Sequence, residues 1–224
     1  MMMRSINAWQ RAALRVAAVG ILAAAIPAAG TATLEAQAAA AVKPSSDWLK
    51  GITASHKQLF DGPQPAGGIP LVHIMNYYDT YNKAFDVKDA DIDAVYTFYG
   101  ATTFYGLNDA MWEKYKLGEF LETDAPGKSG TRATANPWRA EPVILGMKLP
   151  QASVETLQKR GTTFLLCNNA LSIFAGMLAQ KRGLDPAAVY ADLNANILPG
   201  VELVPAMVVA IEQAHRAGMS YHRQ

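Results

Sequence analysis

The chain has 224 residues, 20 basic and 19 acidic, half of them hydrophobic, and a single cysteine. That length suggests one domain, or one domain with appendages, able to bury a sizeable core without disulfides or a structural metal. A formal charge of +1 excludes a nucleic-acid binder driven by bulk charge, and one cysteine excludes an intrachain disulfide or a Cys-rich metal site.

Arg4, Arg11 and Arg15 precede an almost wholly apolar run from Val16 to Ala29, and Ala36-Gln37-Ala38 closes the stretch. A basic head, a short apolar centre and an A-x-A site are the three parts of a secretory signal peptide. The competing reading is an uncleaved anchor. Pro27, the abundance of alanine and the shortness of the run weigh against it, because a spanning helix wants about 20 strongly apolar residues. Cleavage after Ala38 removes three arginines and Glu35 and moves the formal charge from +1 to −1. The arginines are not adjacent, so the expectation is a Sec-type leader over residues 1–38. The mature protein would be periplasmic or secreted and free of the membrane, its lone thiol in an oxidising compartment.

Residues 39–70 read as a polar, Pro/Gly-rich N-terminal extension with a short helix around Asp47 to Phe60. The core is expected to begin at Leu71. Leu71-Val72-His73-Ile74-Met75 is a nearly continuous apolar run after Pro70 and predicts a strand buried on both faces. Ile92 to Tyr99, Thr162 to Cys167 and Val201 to Val204 predict three more, and Met219 to His222 a last edge strand. Between them, Phe104, Leu107, Met111, Trp112 and Tyr115 recur at helical spacing, as do Val154 with Leu157, and Leu171 with Phe174, Ala175 and Leu178. Asp185-Pro186 reads as an N-cap followed by N1, and Pro205 as the opening of a final helix closed by Gly218. Short buried strands alternating with helices predict an α/β fold, an open, mostly parallel sheet of four to five strands with helices on both faces. The stretch 122–150 lacks apolar periodicity and is expected to be an exposed, mobile insertion in a domain covering 71–224.

In such a sheet, ligands bind beyond the carboxyl ends of the strands. Those ends are read as Asn76, Tyr77, Tyr78 and Asp79 after the first strand, and Tyr99, Gly100 and Thr102 after the second. Cys167, Asn168 and Asn169 follow the third, and Pro205 the fourth. Cys167 ends an apolar strand and immediately precedes a helix, where backbone N–H groups favour a thiolate. The plain alternative is a buried cysteine that fills space. Seven of the nine tyrosines fall between Tyr77 and Tyr115, as core, as a subunit interface or as an aromatic wall for a planar ligand. The four histidines show no paired metal-ligand spacing, and no metal site or cofactor is expected. Gly127-Lys128-Ser129 lacks the first glycine of a phosphate loop, and neither GxGxxG nor GxSxG occurs. Asp89, Asp91 and Asp93 lack the glycine and terminal glutamate of a calcium loop. Arg132 and Arg139 flank the insertion as candidate contacts for an anion.

Three segments together, the run ending in Asn-Tyr, RGTTFLLCNNAL, and ELVPAMVVAIEQAHRAG, resemble the DsrE/DsrF-like sulfur-relay family over about Leu71 to Arg223. The resemblance implies a flavodoxin-like subunit assembling into homo-oligomers, commonly trimers or hexamers, with sulfur carried as a persulfide on the cysteine matching Cys167. Relay members mostly work in the cytoplasm, so the leader is a departure. The functional expectation is a sulfur handler that takes sulfane sulfur on Cys167 from a donor and passes it to the thiol of an acceptor protein, with Asn168, Asn169 and Tyr99 near the sulfur. The rival is a non-enzymatic binding or structural module with a site lined by Tyr77, Tyr78 and Tyr99.

Overall fold

A computed structural model describes Ser45 and residues 47–224; the leader read over 1–38 and its cleavage site lie outside the described residues. In chain order the elements are β1 (His56–Asp61), α1 (Ile69–Phe85), β2 (Ile92–Phe98), α2 (Asp109–Lys114), α3 (Leu117–Phe120), β3 (Asp124–Ala125) and β4 (Lys128–Arg132). They continue with β5 (Val143–Ile144), β6 (Met147–Lys148), α4 (Val154–Lys159), β7 (Thr163–Cys167), α5 (Asn168–Arg182), α6 (Pro186–Ala195), β8 (Val201–Val204), α7 (Met207–Arg216) and β9 (Ser220–Arg223).

Five strands form one open sheet in the order β8-β7-β2-β1-β9, and every neighbouring pair is parallel. The chain steps outward from β1 through β2 and β7 to β8, and then returns across the sheet to lay β9 on the other side of β1. The α/β fold expected from the alternation of strands and helices is therefore the observed one.

A sheet of parallel strands has both faces covered, and strand alternation sorts the side chains between them. Phe60, Tyr96, Phe98, Phe164 and Leu166 share one core with Leu71, Ile74 and Tyr78 of α1, Leu157 of α4, Leu171 and Leu178 of α5 and Leu193 of α6. Leu59, Val95, Leu165, Cys167 and Val204 join a second core with Met207, Ala210 and Ala214 of α7 and with Trp48 on the 3₁₀ turn Asp47–Gly51.

Two sequence expectations are corrected here. Leu71–Met75 is not a strand but lies within the first two turns of α1. Its buried positions, Pro70, Leu71, Ile74 and Tyr78, follow helical spacing. Gly68 precedes it in the left-handed region at φ 90°, Pro70 sits in its first turn, and no turn residue interrupts it before Asp86. The strand it displaces is β1, inside the segment taken as an extension and as a helix over Asp47 to Phe60. Leu59 and Phe60 are fully buried there, so the core begins before Leu71. The close passage of the chain after β1 needs Gly62: a Cβ there would lie 2.0 Å from the hydroxyl of buried Tyr96.

Three helix boundaries follow local chemistry. Cys167 caps α5, which ends at left-handed Gly183 (φ 66°). Asp185 caps α6 by accepting from the amides of Ala187 and Ala188. The final helix opens at Met207, two residues after the expected Pro205. The stretch 122–150 is not a structureless loop either: β3–β4 and β5–β6 are antiparallel hairpins, and Ala133, Trp138 and Ile144 from it are buried in the core.

Candidate functional site

The carboxyl ends of β1, β2, β7 and β8 bring together Asp61, Tyr99 with Gly100, Cys167 with Asn168, and Pro205. Cys167 is 6% exposed and belongs to the core beneath α7. Its Sγ accepts from two backbone amides, that of Ala170 in the first turn of α5 at 3.4 Å and that of Met207 at the start of α7 at 3.3 Å. The sequence folds this way because Cys167 must serve two ends at once. As the N-cap of the fifteen-residue α5, it meets one of the helix's orphan N–H groups. As the last residue of β7, paired with Val204, it lies where the chain leaves β8 for α7. One sulfur thus receives an N–H from the first turn of α5 and another from the first residue of α7.

The neighbours expected to help divide. The Asn169 amide donates to the carbonyl of Pro205 at 3.2 Å, which joins the start of α5 to the end of β8 beside the sulfur. The side chain of Asn168 is buried and its Oδ1 accepts from the Tyr190 hydroxyl at 2.6 Å, so this amide is committed to α6. Gly100 is a structural turn at φ 58°, where a Cβ would lie 3.0 Å from the carbonyl oxygen of Pro63.

Tyr99 packs against the second core, to which Cys167 belongs, but the group beside its hydroxyl is Asp61. Burial first, and then this carboxylate, push the Tyr99 hydroxyl well above the usual phenol range. Asp61 is 4% exposed and accepts from the hydroxyls of Thr97 at 3.1 Å and Tyr221 at 2.5 Å. The sequence reading missed this carboxylate because it missed β1. Once His56–Asp61 is read as a strand, an aspartate at its carboxyl end is visible in LFDGP.

The remaining predicted residues lie elsewhere, since Leu71–Met75 is helical. Asn76 and Tyr77 line an open groove of about 450 Å³ between α1 and the β9 edge, with Phe60, His73, Tyr81 and His222. Burial holds the Tyr77 hydroxyl well above its ordinary value. Tyr78 is fully buried in the core, its hydroxyl accepting from Thr162 at 3.4 Å and its ring under the guanidinium of Arg160 at 4.7 Å. Tyr77, Tyr78 and Tyr99 therefore do not form one wall. Arg132 and Arg139 are also spoken for: the first bonds to Asp124 at 2.9 Å, the second to Glu155 at 2.6 Å and Asp109 at 2.8 Å.

Among the described residues no group of three His, Cys, Asp or Glu side chains is placed to hold a metal ion, and no helix is long and apolar enough to cross a membrane. No protein-family model matches the chain, and no curated protein does. A solved structure to which it is similar is that of MTH1491 from Methanobacterium thermoautotrophicum, a protein of unknown function. Identity is 15%, the alignment covers 76% of this chain and 100% of that one, and the TM-score is 0.38.

Proposed function

We propose that this protein is an exported sulfur handler of the DsrE/DsrF-like kind, carrying sulfane sulfur on Cys167. The observation that carries this reading is the pair of backbone amides, from Ala170 and Met207, that donate to Sγ at the head of α5. In the first step the Cys167 thiolate attacks a sulfane sulfur of a polysulfide. The donor's S–S bond breaks, its remaining fragment leaves as the anion, and Cys167 becomes a persulfide. In the second step an acceptor protein's thiolate attacks the outer sulfur, and the Cys167 thiolate leaves with the electron pair. The amides stabilise the anionic sulfur at the start and end of the cycle. The same subunit would assemble with copies of itself, and Ile173 and Met177, 62% and 50% exposed one turn apart on α5, give it an apolar stripe for doing so.

Intact mass of the protein before and after polysulfide, with and without reductant, tests the sulfur reading. A reducible adduct of whole sulfur atoms that maps to Cys167 and is absent from Cys167→Ser is the expected result. An unmodified mass on folded protein, or uptake undiminished in Cys167→Ser, overturns it.

A second reading rests on a different observation, the groove at Tyr77 and Asn76, which gives a non-enzymatic module room for a small ligand. Under it, Cys167→Ser is silent and substitution of Tyr77 is not.

A further inference from the structure

A cavity of about 350 Å³ lies beyond the carboxyl ends of β1 and β2, walled by Gly67 on the β1–α1 connection, Tyr105 after β2, and Thr123 and Trp138 from the hairpin insertion. Tyr105 and Trp138 belong to the core under α1, whereas Cys167 belongs to the core under α7. This is a separate place on the sheet and does not depend on the sulfur reading.

Its chemistry is defined by what is left unsatisfied. Trp138 is 4% exposed, its ring packed against that of Tyr105 at a centroid distance of 4.3 Å. Its backbone amide donates to Asn136 Oδ1 and its carbonyl accepts from Val154. The indole N–H donates to no described residue and is not sealed away as the Trp48 indole is, and Trp138 is one of the residues that line the cavity. A nearly buried N–H without an acceptor carries a desolvation cost that an incoming acceptor relieves. The Tyr105 and Thr123 hydroxyls stand 3.1 Å apart, and either donates to the other. One of their two hydrogens is therefore left over for a ligand. Charge supplies the third constraint. No Lys or Arg lines the cavity, while Glu122 and Asp124 do, and only Asp124 is matched, by Arg132. An anion meets a net negative rim there.

We propose that this cavity binds a small uncharged planar ring bearing a carbonyl-type acceptor, the ring against Trp138 and Tyr105 and the acceptor on the Trp138 indole N–H. The volume lies at the lower end of the range for small-ligand sites, and aromatic walls with few placed donors are their usual lining.

Nicotinamide and its anionic near-isostere nicotinate are the probes, added to the full chain with the tryptophan indole N–H resonances followed by NMR. Trp138→Phe identifies the Trp138 resonance. Nicotinamide is expected to move that resonance saturably in the range of about 1 mM, with nicotinate at least about tenfold weaker. Tyr105→Phe, which keeps every ring, should weaken nicotinamide several-fold. If Trp138→Phe does not fold, Tyr105→Phe and Thr123→Val carry the test. A Trp138 resonance that stays fixed with nicotinamide up to about 10 mM overturns the proposal, as does an equal response to both probes. Unchanged affinity in the hydroxyl variants overturns the assignment of donors.

Discussion

The backbone N–H of Met207 donates to Sγ of Cys167 across 3.3 Å, so one sulfur ties the end of β7 to the first residue of α7. With the Ala170 amide on its other side, the thiol is both a helix cap and a bridge between two crossovers. Cys167→Ala leaves both N–H groups without their acceptor and should cost about 1–3 kcal/mol, read by denaturant unfolding. Cys167→Ser keeps an acceptor and should lose less. Equal losses in the two variants would mean that the sulfur only fills space.

The same burial sets the speed of chemistry at the thiol. With Sγ on a residue 6% exposed beneath α7, a bulky maleimide should label native protein far more slowly than denatured protein. A small electrophile such as iodoacetamide should discriminate less. Rapid native labelling by the bulky reagent would show that α7 opens readily over the sulfur.

Arg160 joins the turn after α4 to two other elements. Its guanidinium bonds to Asp79 at 2.7 Å, Asp89 at 2.9 Å and Asn82 at 2.8 Å while lying over the Tyr78 ring. Hydrogen bonding from Lys83, with Arg160 adding to it, holds the Asp79 carboxyl below its usual range. Burial works to raise Asp89, but the bonds from Arg160 and Asn82 outweigh it and lower that carboxyl too. Groups whose folded pKa is depressed stabilise the fold above the unfolded value of about 3.9, and that stabilisation drains away as pH falls through the lower folded values. Arg160→Met should therefore be less stable by about 1–3 kcal/mol near neutral pH, and the gap to the unsubstituted protein should narrow below about pH 4. A gap that is constant with pH would mean that the side chain acts by packing on Tyr78 alone.

Glycine substitutions separate space from conformation. Gly62→Ala drives a methyl into the Tyr96 ring, and Gly118→Ala drives one within 2.2 Å of the Ala133 carbonyl oxygen. Each should destabilise by about 1–3 kcal/mol or more, because neither neighbour can withdraw from a packed core. Gly176, inside α5 with open space beside it, should gain about 0.5–1 kcal/mol on replacement by alanine. Thermal unfolding of the three variants checks both signs.

Of the five sheet strands, β2, β7 and β8 are legible as short apolar runs bounded by turn or helix signals, and the polar, exposed β9 as an edge strand after Gly218. β1 is not. In HKQLFD only the second half is buried, and His56, Lys57 and Gln58 leave no apolar alternation to read. The displaced assignment, Leu71–Met75, failed on a familiar ambiguity: a short run of four apolar residues around His73 fits a buried strand or a buried helix, and only the uninterrupted chain to Asp86 decides. That one error sent Asn76, Tyr77 and Tyr78 to a strand end they do not occupy. It also hid Asp61, which does occupy one. Cys167, Asn169 and Pro205 were placed well because strand β7 and the capping of α5 are both local properties. The cavity at Trp138 was out of reach for the opposite reason, since its walls come from segments that only the tertiary fold brings together.

The return of β9 to the side of β1 has a consequence for how the chain acquires its structure. Gln58 pairs with Ser220, and Asp61 receives the hydroxyl of Tyr221, across some 160 residues of sequence. Within the sheet, β1, β2, β7 and β8 can be laid down one after another, each beside the one before it. The flank of β1 closes only after α7 has crossed the whole sheet. Such distant pairing is late and slow in folding, and until it forms, β1 presents a free hydrogen-bonding edge and the face beneath α7 is open. Refolding should accordingly show Cys167 becoming protected from alkylation in the last phase, together with the closure of β9 and after the bulk of the helix signal has been recovered.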